Sequence, residues 1–205
     1  MPKDNNMTRL ALAGSLLLSV AACSQPAPSP LVEGMWTVDG GTSSLSFVTV
    51  KNGDVGEAHG FGKLGGSVEP DGTATLTIDL ASVDTGVEIR DQRMRDVLFE
   101  VNKFATATVT AKLDKAVIKG LKTGASTTLP LALTLNLHGQ GKSIPATVTV
   151  TALAGDRLLV TTREPLIINA TDFDLVNGIE QLRELAGLPS IDIAVPVTAT
   201  LVFSK

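Results

Sequence analysis

The sequence predicts an all-β domain, an antiparallel barrel or sandwich of about eight strands with one or two short helices. Three observations carry this reading. Several segments alternate apolar and polar residues with the period of two that puts one greasy face on a strand. Short clusters of Gly, Asp and Asn separate them at hairpin spacing, and no regular strand-helix alternation of the kind that builds parallel sheets occurs. The clearest segment is the last, where Ile191, Ile193, Val195, Val197, Ala199, Leu201 and Phe203 share one side of an extended run.

In chain order, Trp36 to Val50 reads as a first strand through Leu45 and Phe47, interrupted by the turn residues Asp39-Gly40-Gly41. A Gly-rich stretch from Asn52 to Gly66 follows, in which His59-Gly60-Phe61-Gly62 suits a short, sharply bent strand at a barrel corner. Asp71-Gly72 then turns the chain into a strand from Thr73 to Leu80. From Asp84 the alternation stops and charge accumulates, and Met94, Val97, Leu98 and Val101 fall on one helical face. This predicts a short helix from about Asp91 to Phe99, capped near Asp91. A strand from Phe104 to Leu113 is expected to continue to Lys119. Three strong strands come next, Leu129 to His138, Ser143 to Ala152 and Leu158 to Thr162, with turns at Gly139 to Lys142 and Ala154 to Asp156. A further strand is expected at Leu166 to Ala170. Asn177 with Glu180 approximates a capping box for a second helix, which Gly187 and Pro189 would stop before the final strand.

Composition excludes several classes of function. A formal net charge of −4 without a basic patch argues against a nucleic-acid partner. Aromatic residues make up only 3% of the chain, too few for base-stacking platforms or for the aromatic girdles of a membrane-spanning barrel. The first residues carry a different signal. Lys3 and Arg9 precede the apolar run Leu10 to Ala22, too short to span a bilayer, which ends at Cys23, the only cysteine. Val20-Ala21-Ala22-Cys23 resembles a bacterial lipobox, so residues 1–23 are expected to be a lipoprotein signal ending at a lipid-attachment cysteine. Residues 24–31 are rich in Pro and Ser and are expected to form a tether, with the folded domain over 32–205. The protein would then be held in the cell envelope by its anchor, facing the periplasm.

Motifs that look chemical fail on context. Gly60-x-Gly62-x-x-Gly65 matches a dinucleotide fingerprint, but an alternating strand follows it where a helix should receive the pyrophosphate. His59 and His138 are too few for a typical zinc site, no cysteine remains to join them, and they read as polar rim residues; no metal or cofactor is expected. A third reading is an enzyme acting on a lipid or amide with His138 or His59 as base, although no Gly-x-Ser-x-Gly elbow lies in the domain. The densest charge cluster, Arg90 to Asp96, offers Arg90 and Arg93 as ligands for a polar head group, or simply forms the solvated side of a helix.

Taken in order, the segments Trp36-Thr-Val-Asp39, Ser44-x-Ser46-Phe47, Gly60-Phe61, Ser82-Val83-Asp84-Thr85-Gly86 with Arg90-Asp91 and Phe99, Leu133-Thr-Leu135-x-x-His138-Gly139 and Val195-Pro-Val197 resemble the YceI-like family of polyisoprenoid-binding proteins. The resemblance covers about Met35 to the C-terminus. It implies a lipocalin-like antiparallel barrel whose apolar interior holds an isoprenoid or other long-chain lipid, without catalysis. Leu45, Phe47, Leu76, Ile78, Leu133, Leu135, Val148, Val150, Ile193 and Val197 would line that interior. The competing reading is a structural or assembly lipoprotein with a fully packed barrel that acts through protein contacts. Whether the greasy faces meet one another or leave room for a lipid separates the two.

Overall fold

The computed structural model describes residues 35–118 and 120–205. Cys23 and the expected signal and tether lie outside the described residues. Twelve strands follow in chain order: β1 (Trp36–Val38), β2 (Ser44–Lys51), β3 (Val55–Phe61), β4 (Leu64–Val68), β5 (Thr73–Asp79), β6 (Val83–Asp84), β7 (Thr106–Lys112), β8 (Ser126–Leu137), β9 (Gln140–Leu153), β10 (Arg157–Thr162), β11 (Leu166–Asn169) and β12 (Ala194–Ser204). Their antiparallel order is β1-β4-β5-β7-β8-β9-β10-β12, and β12 pairs back onto β1 through Val38↔Phe203, closing a barrel of eight strands.

The expected number of strands and the observed twelve segments agree because several barrel strands are broken. β1 and β2 lie one after the other along one flank of β12, at Val38↔Phe203 and Ser44↔Thr200, with residues 39–43 looped out between them. β10 and β11 follow each other along the other flank, at Leu158↔Phe203 and Leu166↔Val197. Strand identity follows the pattern of side chains. In β5 the threonines alternate with Ala74, Leu76 and Ile78, and the last two are buried. In β9, Ala146, Val148, Val150 and Ala152 are all buried on one face. Close approach of β4 to β5 depends on Gly66, where φ is +140° and a β-carbon would lie 2.0 Å from the Thr75 carbonyl oxygen.

Three helices close one part of the barrel or brace its ends: α1 (Glu88–Arg93), α2 (Lys115–Ile118) and α3 (Val176–Ala186). α1 runs on into a π-helical turn over Met94–Leu98, marked by the Phe99 N–H donating to the Met94 carbonyl. α3 seats on this turn through Gly178, where a β-carbon would come within 3.0 Å of the Leu98 Cα. Gly187, at φ +64°, ends α3, and the Leu188 N–H returns to the Arg183 carbonyl as the sequence signals lead one to expect.

Several boundaries differ from the sequence reading for identifiable reasons. α1 begins at Glu88 rather than Asp91, and Asp91 does not cap it; its buried carboxylate instead accepts hydrogen bonds from the Thr85 N–H and hydroxyl. The chain does not remain extended to Lys119, because the Asp114 carboxylate accepts from the Ala116 N–H and starts α2, which turns Ile118 into the core. Asn177 lies inside the first turn of α3, whose cap is Leu175, and Glu180 pairs with Arg183 at 2.7 Å. The turn between β8 and β9 is His138-Gly139, both at positive φ, so Gln140 to Lys142 belong to β9. β12 starts at Ala194; Ile191 makes only an isolated bridge to Lys51.

Candidate functional site: a hollow barrel with one polar end

The barrel is hollow. A cavity of about 570 Å³ runs through its interior, within the size range of small-molecule sites. Leu45 and Phe47 of β2, Leu76 and Ile78 of β5, Leu133 and Leu135 of β8, Val148 and Val150 of β9 and Val197 of β12 stand on its wall. Ile193, expected on this wall, does not line it. It falls just before β12 begins, where its carbonyl accepts from the Ala170 N–H and its side chain is 38% exposed.

Parts of the wall come from elements whose inward residues the strand pattern alone does not reveal. Met94 and Leu98 of the π-helical turn and Ile179 and Leu182 of α3 cover the cavity, and Trp36 lies buried on its wall. The wall becomes polar at one end. The inward face of β2 runs Leu45, Phe47, Thr49 and then Lys51, while β3 opposes it with His59 against Phe47 and Glu57 against Thr49. This change of character was open to reading, since Thr49 and Lys51 follow Phe47 at the same period of two.

At that end the Glu57 Oε2 accepts from Lys51 Nζ at 2.8 Å and from Arg90 Nη1 at 2.7 Å. The rest of the Arg90 guanidinium donates to the Thr85 hydroxyl and carbonyl, each at 2.8 Å. Arg90 thus joins α1 to β3 through Glu57 and is steadied by Thr85. Arg93 also lines the cavity, and its Nη1 donates to the Leu185 carbonyl at 3.2 Å. Unlike Lys51 and Arg90, Arg93 has no carboxylate within ion-pair distance among the described residues. It is the cation best able to meet a ligand at this end.

The electrostatics follow from these contacts. The Lys51 hydrogen bond, with the charge of Arg90 behind it, holds the Glu57 carboxyl below the usual range despite its partial burial. Burial, reinforced by the Arg90 charge, pushes the His59 imidazole below its usual value. His59 is 6% exposed, its Nε2 lies 2.9 Å from the Thr49 hydroxyl, and its Nδ1 is buried without a partner. His138 sits apart from it, on the Phe104 ring and 3.1 Å from Glu100 Oε2, and does not line the cavity. Among the described residues no cluster of His, Cys, Asp and Glu suited to a metal ion forms around either histidine.

A pH dependence follows for His59. With its folded pKa below the unfolded value near 6.5, unfolding takes up a proton, so stability is unaffected well above that value and declines as pH falls through it. Glu57, also depressed, adds a separate loss only below about 4.5. The midpoint of urea unfolding is thus expected to fall between pH 7.5 and 5.5 in the wild type, and His59→Gln is expected to flatten that interval. An equal slope in the variant would show that His59 is not the titrating group.

A closed antiparallel barrel with a hollow, largely aliphatic interior is a ligand-enclosing barrel in architecture. The chain belongs to the YceI-like domain family, whose model matches residues 36–203. It is similar to a solved structure of a polyisoprenoid binding domain from Saccharophagus degradans, described as implicated in plant cell wall breakdown. Identity is 40% with a TM-score of 0.81, over 83% of this chain and 98% of that one. BcnA from Burkholderia cenocepacia shares the fold at 18% identity and TM-score 0.60, over 80% of this chain and 98% of that one. Among curated proteins no match is found.

Proposed function

We propose that this protein binds an isoprenoid or similar long-chain lipid inside its barrel, without catalysis, with the hydrocarbon chain along the aliphatic wall and the polar head beside Arg93. The hollow interior is the observation that carries the reading. A prenyl chain makes no hydrogen bonds, and each methylene-sized group it buries is worth about 0.8 kcal/mol, so a wall of Leu, Ile and Val binds it strongly with little need of polar contacts. The 40%-identical Saccharophagus domain, described as polyisoprenoid binding, supports the same ligand class. A packed barrel acting only through protein contacts would leave no such space, and the cavity counts against it.

The lipobox-like Val20-Ala21-Ala22-Cys23 supports placing this barrel on an envelope membrane through a lipidated Cys23, where it would sequester or carry lipid within reach of its tether. Cys23→Ser is the variant that tests the anchor, by loss of the protein from the membrane fraction. For the ligand, native mass spectrometry of gently extracted protein is expected to show a co-purifying lipid with an isoprenoid or long alkyl chain, and delipidated protein to take up prenyl lipids again. Arg93→Gln is expected to weaken prenyl lipids with an anionic head by about tenfold, near 1.4 kcal/mol, and to leave prenyl alcohols unaffected. Absence of both co-purifying lipid and prenyl-lipid binding would overturn the reading.

A further inference from the structure

The barrel wall has a seam. β10 pairs with β9 in a register where the residue numbers sum to 310, from Arg157↔Leu153 to Thr162↔Val148. The next bond continues it, with the Arg163 N–H donating to the Thr147 carbonyl at 2.9 Å. Beyond this point the pairing stops. Among the described residues β11 is bonded only to β12, and the edge of β9 from Pro145 back to Gln140 is bonded only to β8.

The reason lies in the two residues that would come next. In an antiparallel ladder, directly opposite residues exchange both of their hydrogen bonds at every second position. Arg163 and Thr147 stand at such a position, bonded through the Arg163 N–H, and the following one in the same register is 165 with 145. Both positions are proline. Neither has an N–H, so both bonds of that pair are lost at once, while β9 keeps its ladder to β8 because the backbone polar groups of residue 145 point the other way. Two prolines facing each other across one pair stop the zipper where a single proline would cost one bond.

The seam lies against the wall of the cavity. The groove between residues 144–147 of β9 and residues 164–167, which lead into β11, is lined by Leu131, Ile144 and Leu166, and the same three side chains also line the interior cavity. On the outer lip Ile167 is 59% exposed, and Glu164 is the only charged side chain lining the groove. We propose that this seam is a lateral portal, held unpaired by Pro145 opposite Pro165, through which the hydrocarbon chain of the ligand enters and leaves the barrel. The proposal rests on the lipid-binding reading. It commits to an apolar chain as the occupant because the groove shares Leu131, Ile144 and Leu166 with the apolar interior and is lined by no cation.

The test restores the missing bonds. In Pro145→Val/Pro165→Val both N–H groups return on residues that favour strands, and the ladder can continue from Arg163 and Thr147. Tritiated geranylgeraniol is the probe, with uptake by delipidated protein and release into phosphatidylcholine vesicles as the readouts. The double variant is expected to bind the same amount at equilibrium but to load and release at least tenfold more slowly. Pro130→Val, which changes the groove on β8 without touching the seam pair, is expected to leave both rates unchanged. A second variant guards against misfolding: Pro145→Cys/Pro165→Cys in a Cys23→Ser background should exchange slowly when oxidised and regain wild-type rates on reduction. Thiol titration of the oxidised sample shows whether the disulfide has formed across the seam. Unchanged rates in the valine variant and in the oxidised cysteine variant, with full binding retained, overturn the portal alone. Failure of the wild type to take up the probe overturns the lipid-binding reading and the portal with it.

Discussion

Leu133→Trp is expected to reduce binding of a prenyl lipid by well over tenfold while leaving the barrel folded. Leu133 lies on the cavity wall, partly exposed to the empty interior, so the larger ring has space to enter without the strain that overpacking causes in a filled core. Displacing even three carbons of a bound chain costs about 2.4 kcal/mol at about 0.8 kcal/mol each, or roughly sixtyfold in affinity. Titration of delipidated wild type and variant with geranylgeraniol measures it, with far-UV circular dichroism to establish that the sheet is intact. Undiminished binding in a folded variant would place the ligand outside this cavity.

Phe173→Ala is expected to give the largest loss of stability, about 3–5 kcal/mol, against the 5–15 kcal/mol by which a domain of this kind is ordinarily stable. Phe173 ends the 3₁₀ turn Ala170–Phe173 that leads into α3, and at 1% exposure it is one of the two most completely buried large side chains among the described residues. It does not line the cavity, so its truncation removes contacts on every side. Leu133→Ala offers a useful contrast, since a side chain already facing empty space loses fewer contacts when shortened. Urea unfolding must be done on delipidated protein, because bound ligand adds stability of its own. A change below about 1 kcal/mol would show that this end of the barrel repacks freely.

Most of the barrel was legible because its strands state their faces locally. Ala74, Leu76 and Ile78, or Val148 and Val150, need only the alternation of side chains to identify them as inward. The reading failed where a single polar contact outweighed the pattern. Asp114 started a helix inside an expected strand, and Asp91 bonded Thr85 instead of capping α1. The polar end was half legible. Thr49 and Lys51 continue the inward parity of Phe47, but nothing local shows that Arg90, more than thirty residues on, reaches Glu57.

The sequence by itself determined the antiparallel all-β class, the inward parity of the long strands, the stop of α3 at Gly187 and the likeness to YceI-like domains. These rest on backbone conformation and on side-chain alternation, which neighbouring residues set between them. Only the tertiary structure decided that the apolar faces enclose a space instead of filling it, and that the space ends in a polar cluster and meets a seam at Pro145 and Pro165. The physical reason is closure. Whether inward side chains meet depends on barrel width and strand tilt, which the whole ring of strands sets together. The meaning of two prolines likewise depends on a register between strands that no single segment contains.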